Sequence, residues 1–309
     1  MFVPYWKVRF ISNSDPILLV YGPTASGKTN FAIELAKRVN GEIINTDSMQ
    51  IYSGLPILTA LPTISERAGI AHHLFGAVEP SERWSVGKWL EAALKLINEI
   101  IARGNRPILV GGTGLYFEAL TRGLAKIPQI SRQTILDIEL LIAEDSLAAV
   151  RTKLELVDPV SADKIQGFDR QRLIRALSVF EETGKTLTSF QQTTIPVLAA
   201  NEWQGTVLLP DRDVLYERIN RRFDAMIQNG ALEEVKAFKS KSEDQSIALH
   251  KSIGFVPLGR YLDGDISLTE ACDLAKRDSR RYAKRQMTWA RGRANNWDFV
   301  DPLQSERGK

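Results

Sequence analysis

Cysteine is nearly absent from this sequence, whose 309 residues include one, Cys272. A disulfide needs two thiols and a zinc site built on cysteine needs several, so neither can form within one chain. A protein without such crosslinks fits a reducing compartment, and we expect it in the cytoplasm.

Long apolar runs are absent as well, because no run approaches the ~18 residues that cross a membrane. We therefore expect no membrane association. Residues 1–15 lack the uninterrupted apolar stretch and the cleavage site of a secretory signal, so we interpret them as a short N-terminal extension. A large charge imbalance is also missing, since a net charge of +3 does not by itself indicate a nucleic-acid partner. The composition is that of an ordinary globular protein of about two domains.

A glycine-rich motif follows the first apolar run of the chain. Residues 17–20 predict a buried parallel strand, and the sequence G-P-T-A-S-G-K-T then leads into an amphipathic segment that predicts a helix. This spacing matches G-x-x-x-x-G-K-[ST], in which backbone N–H groups and a helix N-terminus hold phosphate oxygens. Lys28 adds a positive charge, and the Thr29 hydroxyl can hold Mg²⁺. The predicted phosphate-binding residues are Gly22, Pro23, Thr24, Ala25, Ser26, Gly27, Lys28 and Thr29.

Two further segments are expected beside this loop, because ligands of an open α/β sheet bind outside the carboxyl ends of its strands. Residues 41–47 predict a second strand that ends in Asp47, which could be a metal ligand, a general base or only a turn former. Residues 106–110 predict another strand, and the G-G-T-G turn after it could offer a second cradle of N–H groups or merely close a tight turn. The Thr113 hydroxyl in this turn is a candidate donor to a bridging or leaving oxygen.

Strand patterns disappear from about residue 128 to residue 201, where helical patterns follow one another. One of them predicts a helix over Arg170–Thr183, with Asp169 as its N-cap and Gly184 as its C-cap. The predicted domains are an N-terminal extension over 1–15, an α/β core over 16–127 and 202–309, and a helical insertion over 128–201.

Basic residues are concentrated late in the chain. A predicted helix after residue 213 carries Arg218 and Arg222, and arginines at this place in phosphate-transfer enzymes close over the phosphates with planar contacts. Residues 276–293 contain eight basic residues and one acidic residue, and their three- and four-residue spacing predicts a helix with a positive stripe. Such stripes bind phosphate backbones, whereas an ordinary surface helix mixes both signs of charge.

These features fit two functions on one fold. The first is a kinase that phosphorylates a small acceptor with ATP. The second is an enzyme that binds a diphosphate ester and RNA and transfers the organic group of the ester. A terminal Asp immediately before Gly111, where a kinase would use it to hold Mg-ATP, is missing, and this weighs modestly against the kinase. A third function, an RNA-binding switch without chemistry, would leave Asp47 unexplained.

Five motifs in register resemble those of the bacterial tRNA dimethylallyltransferases, the IPP transferase family, and the likeness runs from about residue 16 to residue 297. The motifs lie at residues 22–29, 47–52, 111–116, 171–176 and 282–289. The resemblance implies an α/β, P-loop NTPase-like fold of the nucleoside-kinase type, a parallel sheet with flanking helices and an inserted all-helical domain. It also implies transfer of a dimethylallyl group from dimethylallyl diphosphate to N6 of adenosine 37, in tRNAs reading codons that begin with U.

Carried over by position, the resemblance makes Asp47 the base for the N6 proton and lets Thr113 bond the oxygen between the dimethylallyl group and the diphosphate. Lys28, Thr29 with Mg²⁺, Arg218 and Arg222 would stabilise the leaving diphosphate. The protein is expected to be a monomer that binds the tRNA anticodon stem-loop. The implied tRNA contacts are Asp47, Ser48, Met49, Gln50, Thr113, Gln171, Arg172, Leu173, Ile174, Arg175, Arg281, Lys284 and Arg285.

The chain departs from the family pattern at two places. Ile135 stands in the first insertion helix where many members have an arginine, and Phe255-Val256 replaces a tyrosine followed by a basic residue. Both departures concern tRNA contacts and leave the transfer chemistry untouched. The charged faces of the insertion have an ordinary explanation too, since such faces are usually solvated surface.

Overall fold

The computed structural model describes residues 16–241 and 247–302 of the chain. These residues form two compact units, one comprising 16–117 with 198–302 and the other comprising 118–197. The division at residues 128 and 201 stays a prediction about domains, and the predicted extension over residues 1–15 lies outside the described residues.

The first unit contains a six-stranded sheet. Its strands are β1 (Ile17–Tyr21), β2 (Gly41–Asn45), β3 (His72–His73), β4 (Arg106–Gly111), β5 (Trp203–Leu208) and β6 (Asp298–Val300). They are ordered β3-β2-β4-β1-β5-β6, and every neighbouring pair is parallel. The predicted parallel α/β sheet is therefore confirmed.

Helices make up most of the remaining described structure. They are α1 (Lys28–Val39), α2 (Val86–Ala102), α3 (Gly114–Thr121), α4 (Arg132–Glu144), α5 (Leu147–Val157), α6 (Pro159–Lys164), α7 (Arg170–Thr183), α8 (Leu187–Gln192), α9 (Arg212–Gln228), α10 (Ala231–Lys241), α11 (Phe255–Leu262) and α12 (Leu268–Arg293), with a 3₁₀ turn over Ala248–Lys251. None of the helices within the described ranges has the length and apolar character needed to span a bilayer.

The central strands are buried along their whole length. Every residue of β1 and β4 is buried, which is typical of parallel strands covered by helices on both faces. Helix α1 packs Phe31 and Ala36 into the core beside β1. The register places Val20 of β1 beside Val110 of β4, so the segments that follow these two strands leave the same edge of the sheet.

The chain leaves β2 earlier than the sequence indicates. The strand ends at Asn45, and Asp47 lies in the turn that follows. The backbone N–H of Asp47 donates to Asn45 Oδ1 at 2.8 Å, while the N–H of Thr46 donates to Val110 O at 2.8 Å. The Asn45 side chain thus accepts the Asp47 N–H that a continued strand would direct to a neighbouring strand, and the chain turns at this point.

The second unit contains helices α4 to α8. Its core consists of buried apolar residues from α4 to α7, namely Ile138, Val150, Leu154, Ala162, Ile165, Leu173, Ala176 and Leu177. The side chain of Asp169 accepts the N–H of Arg172, and Gly184 ends α7 in the left-handed conformation, so both predicted caps are confirmed.

Asp158 connects two short helices that the sequence analysis did not predict. Its carboxylate accepts the N–H and hydroxyl of Ser161 in α6 at 3.1 and 2.7 Å, and those of Thr188 in α8 at 3.1 and 2.8 Å. Burial opposes ionisation of Asp158, but these hydrogen bonds outweigh burial and hold its pKa below the ordinary value. The Asp-Pro pair therefore ends α5 and also begins α6.

Replacing Asp158 with Asn is expected to lower the free energy of unfolding by about 1–3 kcal/mol, because an amide nitrogen cannot accept the bonds that a carboxylate oxygen accepts. Urea denaturation near neutral pH measures this change. Asp163→Asn, at an exposed position of α6, is the control and should change stability by less than about 0.5 kcal/mol.

The loss of unfolding free energy caused by Asp158→Asn should depend on pH. A carboxyl whose folded pKa is depressed contributes its full stability above the unfolded pKa of about 4 and loses it as the pH falls toward the folded pKa. The difference between wild type and variant should therefore shrink on acidification below about pH 4. A difference that stays constant there would contradict the role of the ionised carboxylate.

Candidate active site

The glycine-rich loop forms a tight turn at the carboxyl end of β1. Gly27, at the start of α1, has a φ of 88°, a left-handed backbone conformation that residues with a side chain rarely adopt. The N–H of Ser26 donates to Pro23 O at 3.2 Å and closes the turn. The loop thus joins a buried strand to a helix N-terminus, as the motif predicts, and a helix N-terminus attracts anions.

A cavity of about 820 Å³ opens over this loop. Its lining includes loop residues 24–29, Asp47, and three arginines of α9, which are Arg218, Arg221 and Arg222. A smaller cavity of about 240 Å³ shares Thr24, Asp47 and Arg222 with the first. The apolar part of its lining consists of Met49, Leu58, Ile219, Phe223, Met226 and Ile253. A cavity lined by several cations and a smaller cavity with a group of apolar side chains therefore meet at Asp47.

Helix α9 brings two predicted arginines to the phosphate-binding loop. Arg218 Nε donates to Ala25 O at 3.1 Å, and Arg222 donates to the hydroxyl of Thr24. The spacing of four residues places both side chains on one face of the helix. Burial lowers the pKa of Arg222, although the charge of Asp47 opposes that effect.

Lys28 is held inside the loop that it follows. Its Nζ donates to Pro23 O at 2.7 Å. Burial lowers the pKa of Lys28 to about 7, the negative charge of Asp47 acts in the opposite direction, and the charge of Arg222 adds to the lowering. The site therefore holds cations that would be stabilised by an added polyanion.

Asp47 uses one carboxylate oxygen to shape its own turn. Its Oδ1 accepts the backbone N–H of Met49 at 2.9 Å and that of Gln50 at 3.3 Å. Within the described ranges, neither a hydrogen bond nor an ion pair is formed by Oδ2. The turn-forming role and a chemical role are thus compatible, because they use different oxygens of one carboxylate.

Thr113 lies against the turn that carries Asp47. Its Oγ1 accepts the backbone N–H of Ser48 at 3.0 Å and lies 3.4 Å from the Ser48 hydroxyl. Burial raises the pKa of Tyr282 in α12, and an interaction with Thr113 opposes that rise. Tyr282 lies in the motif at residues 282–289, but the sequence analysis did not name it as a site residue; it also lines the smaller cavity.

The glycines around Thr113 are explained by close packing. A Cβ on Gly111 would lie 2.3 Å from the backbone of Thr46, and one on Gly114 would lie 2.4 Å from the ring of Trp289. The N–H of Thr113 itself donates to Thr46 O at 3.1 Å. A tight turn thus accounts for the motif, and a second cradle for phosphate stays a prediction.

The predicted tRNA contacts of the first unit divide into internal and exposed side chains. Gln50 Nε2 donates to the carbonyls of Thr59 and Ala60 at 3.0 and 2.8 Å, and Ser252 donates to the sulfur of Met49. By contrast, the predicted contacts on α12 have exposed side chains, and they are Arg281, Lys284 and Arg285.

The predicted contacts of the second unit lie along α7. Gln171, Arg172 and Arg175 are exposed, and Ile174 is half-buried. Leu173 requires a correction, because its side chain is fully buried in the helical core and has a packing role. The family motif includes residues 171–176 without distinguishing core from surface positions. The spacing of four residues between Leu173 and Leu177 does indicate that both face the core.

Comparison with known proteins identifies one family. The family model described as IPP transferase matches residues 50–293, and the one described as isopentenyl transferase matches residues 16–72. The chain is 50% identical over 291 residues to the tRNA dimethylallyltransferase of Maricaulis maris (strain MCS10), with 94% of each protein covered. It is 47% identical over 287 residues to the tRNA dimethylallyltransferase of Caulobacter sp. (strain K31), with 93% of each covered.

Solved structures give the same result. The full-length tRNA isopentenylpyrophosphate transferase of Bacillus halodurans is 38% identical, has a TM-score of 0.67, and matches over 93% of this chain and 89% of its own. A eukaryotic dimethylallyltransferase acting on tRNA is 27% identical, has a TM-score of 0.80, and matches over 94% of this chain and 77% of its own. The predicted P-loop NTPase-like fold is confirmed.

The lowered pKa of Lys28 leads us to expect a pH-dependent stability. An unfolded lysine keeps its proton to about pH 10, whereas folded Lys28 releases it near pH 7. Between these values the unfolded state binds more protons, so stability rises with pH. The Lys28→Met variant should therefore unfold a few degrees above wild type near pH 6.5, and this advantage should shrink by about pH 9.5.

Thermal unfolding of the ligand-free proteins across this pH range measures the effect. Lys95→Met removes an exposed lysine of α2 and serves as the control, with an expected difference from wild type that does not depend on pH. A constant difference between wild type and Lys28→Met would show that the folded protein does not disfavour the charged lysine.

Proposed function

The chain belongs to the IPP transferase family, and we propose that it transfers a dimethylallyl group from dimethylallyl diphosphate to N6 of adenosine 37 in tRNAs reading codons that begin with U. The relatives at 50% and 47% identity are named for dimethylallyl transfer to tRNA. The products would be N6-(dimethylallyl)adenosine in the tRNA and free diphosphate.

Two cavities that meet at Asp47 support the proposal. The larger cavity is lined by the phosphate-binding loop and arginines, and the smaller one has a group of six apolar side chains beside polar and basic ones. A diphosphate ester of a short branched hydrocarbon has these two characters at its two ends. Because Asp47 lines both cavities, its carboxylate lies where the bond between the two parts of such a donor would break.

The chemistry requires stabilisation of a leaving group more than activation of a nucleophile. The exocyclic amine of adenine is a poor nucleophile, so the allylic carbon must acquire cationic character as its bond to the diphosphate oxygen breaks. The N6 lone pair forms the new C–N bond, and the N6 proton passes to Asp47. Lys28, Arg218 and Arg222 would stabilise the charge that develops on the diphosphate.

Thr113 would hold the oxygen at which this bond breaks. Its oxygen already accepts the N–H of Ser48 at 3.0 Å, and its hydroxyl lies 3.4 Å from that of Ser48. An oriented hydroxyl loses little rotational freedom when it donates to the bridging oxygen, and this lowers the entropic cost of reaching the transition state. The same contacts fix Thr113 relative to Asp47, because Ser48 is the next residue in the chain.

The site suits Mg²⁺ bound together with the diphosphate. Within the described ranges, no group of three or more His, Cys, Asp or Glu side chains could hold a metal ion alone. The exposed Thr29 hydroxyl at the start of α1 lines the cationic cavity and offers the hard oxygen ligand that Mg²⁺ prefers. When bound, the ion would neutralise part of the diphosphate charge.

The exposed basic residues of α12 would bind the anticodon stem-loop through its phosphates. Adenosine 37 would leave its stack to bring N6 to Asp47, as bases do in other enzymes that modify them. We include the exposed residues of α7 in the tRNA surface on the strength of their motif. A monomer in the cytoplasm completes the proposal.

The direct test is the mass of an unmodified anticodon stem-loop carrying A36-A37-A38 after incubation with the protein, Mg²⁺ and dimethylallyl diphosphate. We expect a gain of one dimethylallyl group at A37, and no gain when ATP replaces the prenyl donor. An unchanged RNA, together with consumption of ATP that depends on a small acceptor, would replace the transferase with the kinase.

The matched variant for this assay is Asp47→Asn. The amide oxygen can still accept the N–H groups of Met49 and Gln50, so the turn should persist while the base is lost. We expect kcat to fall by about 10²–10⁴-fold, with little change in RNA affinity. A parallel loss of RNA binding would indicate that Asp47 acts only through the turn.

Arg281→Ala is expected to weaken RNA binding and to reduce the salt dependence of the binding constant by the equivalent of about one phosphate contact. Titrations of the labelled stem-loop at several salt concentrations measure both quantities. Arg38→Ala, at an exposed position of α1, is the control and should leave the slope unchanged. An unaltered slope for Arg281→Ala would remove this arginine from the RNA surface.

A further inference from the structure

Gln286 joins the two loops of the site through one side-chain amide. It lies on α12 and is 4% exposed. Its Oε1 accepts the N–H of Thr24 in the phosphate-binding loop at 2.9 Å, and its Nε2 donates to Gly112 O, directly before Thr113, at 2.9 Å. A primary amide can make this pair of bonds because it carries an acceptor and a donor side by side.

The backbone at Gln286 is attached to the same part of the sheet. Its carbonyl accepts the hydroxyl of Tyr21 at 3.0 Å, and Tyr21 is the last residue of β1. A Cβ on Gly112 would lie 2.1 Å from Gln286 Nε2, so this glycine is required by the amide that contacts it. The side chain and the backbone carbonyl of Gln286 together hold α12 against the carboxyl ends of β1 and β4.

The two loops have different tasks in the transfer reaction proposed above. The hydroxyl of Thr24 accepts a hydrogen bond from Arg222, so Thr24 belongs to the part of the site that would hold the diphosphate. Gly112 precedes Thr113, whose hydroxyl bonds Ser48 next to Asp47 and therefore belongs to the end where bonds change. The Gln286 amide spans the boundary between these two ends.

We propose that Gln286 is a positioning residue of the transfer reaction, which sets the spacing between the loop that holds the leaving diphosphate and the loop that carries Thr113. This inference rests on the proposed function. It assigns Gln286 no contact with either substrate, because both of its amide atoms are bonded to backbone. Its effect would therefore be on kcat more than on the KM for RNA, because misplaced reacting groups slow the chemical step.

Gln286→Glu tests the hydrogen bond that the side chain donates to Gly112 O, because the protonation of the introduced carboxyl can be controlled through the pH. The ionised carboxylate can accept the N–H of Thr24 but can only repel the carbonyl of Gly112. The protonated acid has the same donor and acceptor as the amide and should restore both bonds. We expect kcat to fall by about 10²-fold near pH 8, and the ratio of variant to wild-type kcat to rise as the pH is lowered toward about 5.5.

The ratio removes other titrations from the comparison. Titratable groups that interact around the two loops include Tyr21 on β1, Lys28 on α1, Asp47 after β2, Arg222 on α9 and Tyr282 on α12. All of them are present in both proteins, so a change in the ratio reports the introduced carboxyl.

Two further variants separate positioning from folding. Gln286→Met keeps the volume but has neither bond, so its kcat ratio should be low and should not change with pH. Gln228→Glu introduces the same charge at an exposed position of α9 and should keep the kcat of wild type. Thermal unfolding of each protein at each pH gives the folded fraction, to which all rates are normalised.

Each outcome decides one question. A low ratio for Gln286→Glu that recovers at acidic pH, with a fully folded protein, supports positioning by the amide. A normalised ratio near one at every pH, or a low ratio that does not recover, would overturn it. If wild type itself transfers no dimethylallyl group, the proposed function fails, and this result is distinct from either outcome for Gln286.

Discussion

The parallel pairing of β1 with β4 is the constraint on which the site depends. Because Val20 and Val110 lie side by side in register, the loops that follow the two strands begin at the same edge of the sheet. One loop carries Lys28 and the other carries Thr113. The turn after β2 adds Asp47 at that edge, since β2 is the other neighbour of β4. The residues proposed to act in the reaction therefore lie together where three parallel strands end.

Positive charge is concentrated around the phosphate-binding loop. Lys28, Arg218 and Arg222 surround one loop, and burial opposes the charges of Lys28 and Arg222. In the proposed reaction, a diphosphate would bring negative charge to these cations. Their bonds to the loop would then hold them near the leaving group, as electrostatic preorganisation requires.

Sequence reasoning succeeded where the determining contacts are local. The phosphate-binding loop, the parallel sheet and both caps of α7 follow from motifs and periodicity within a few residues. Strands β3 and β6 have two and three residues and are too short to show a pattern. The role of Gln286 was out of reach because its partners lie 262 and 174 residues away in the chain. Burial of Leu173 was visible in its spacing, but the family motif included it with exposed neighbours.

The contacts of α12 also determine when the site can exist during synthesis of the protein. The loops after β1 and β4 leave the ribosome early. Gln286 and Trp289, which contact the end of β1, emerge much later, and Gln286 also bonds Gly112 after β4. A nascent chain that ends before α12 would have the phosphate-binding sequence without the support that joins it to Thr113. Long-range closure of this kind slows folding, and the competent site cannot form before α12 has been made.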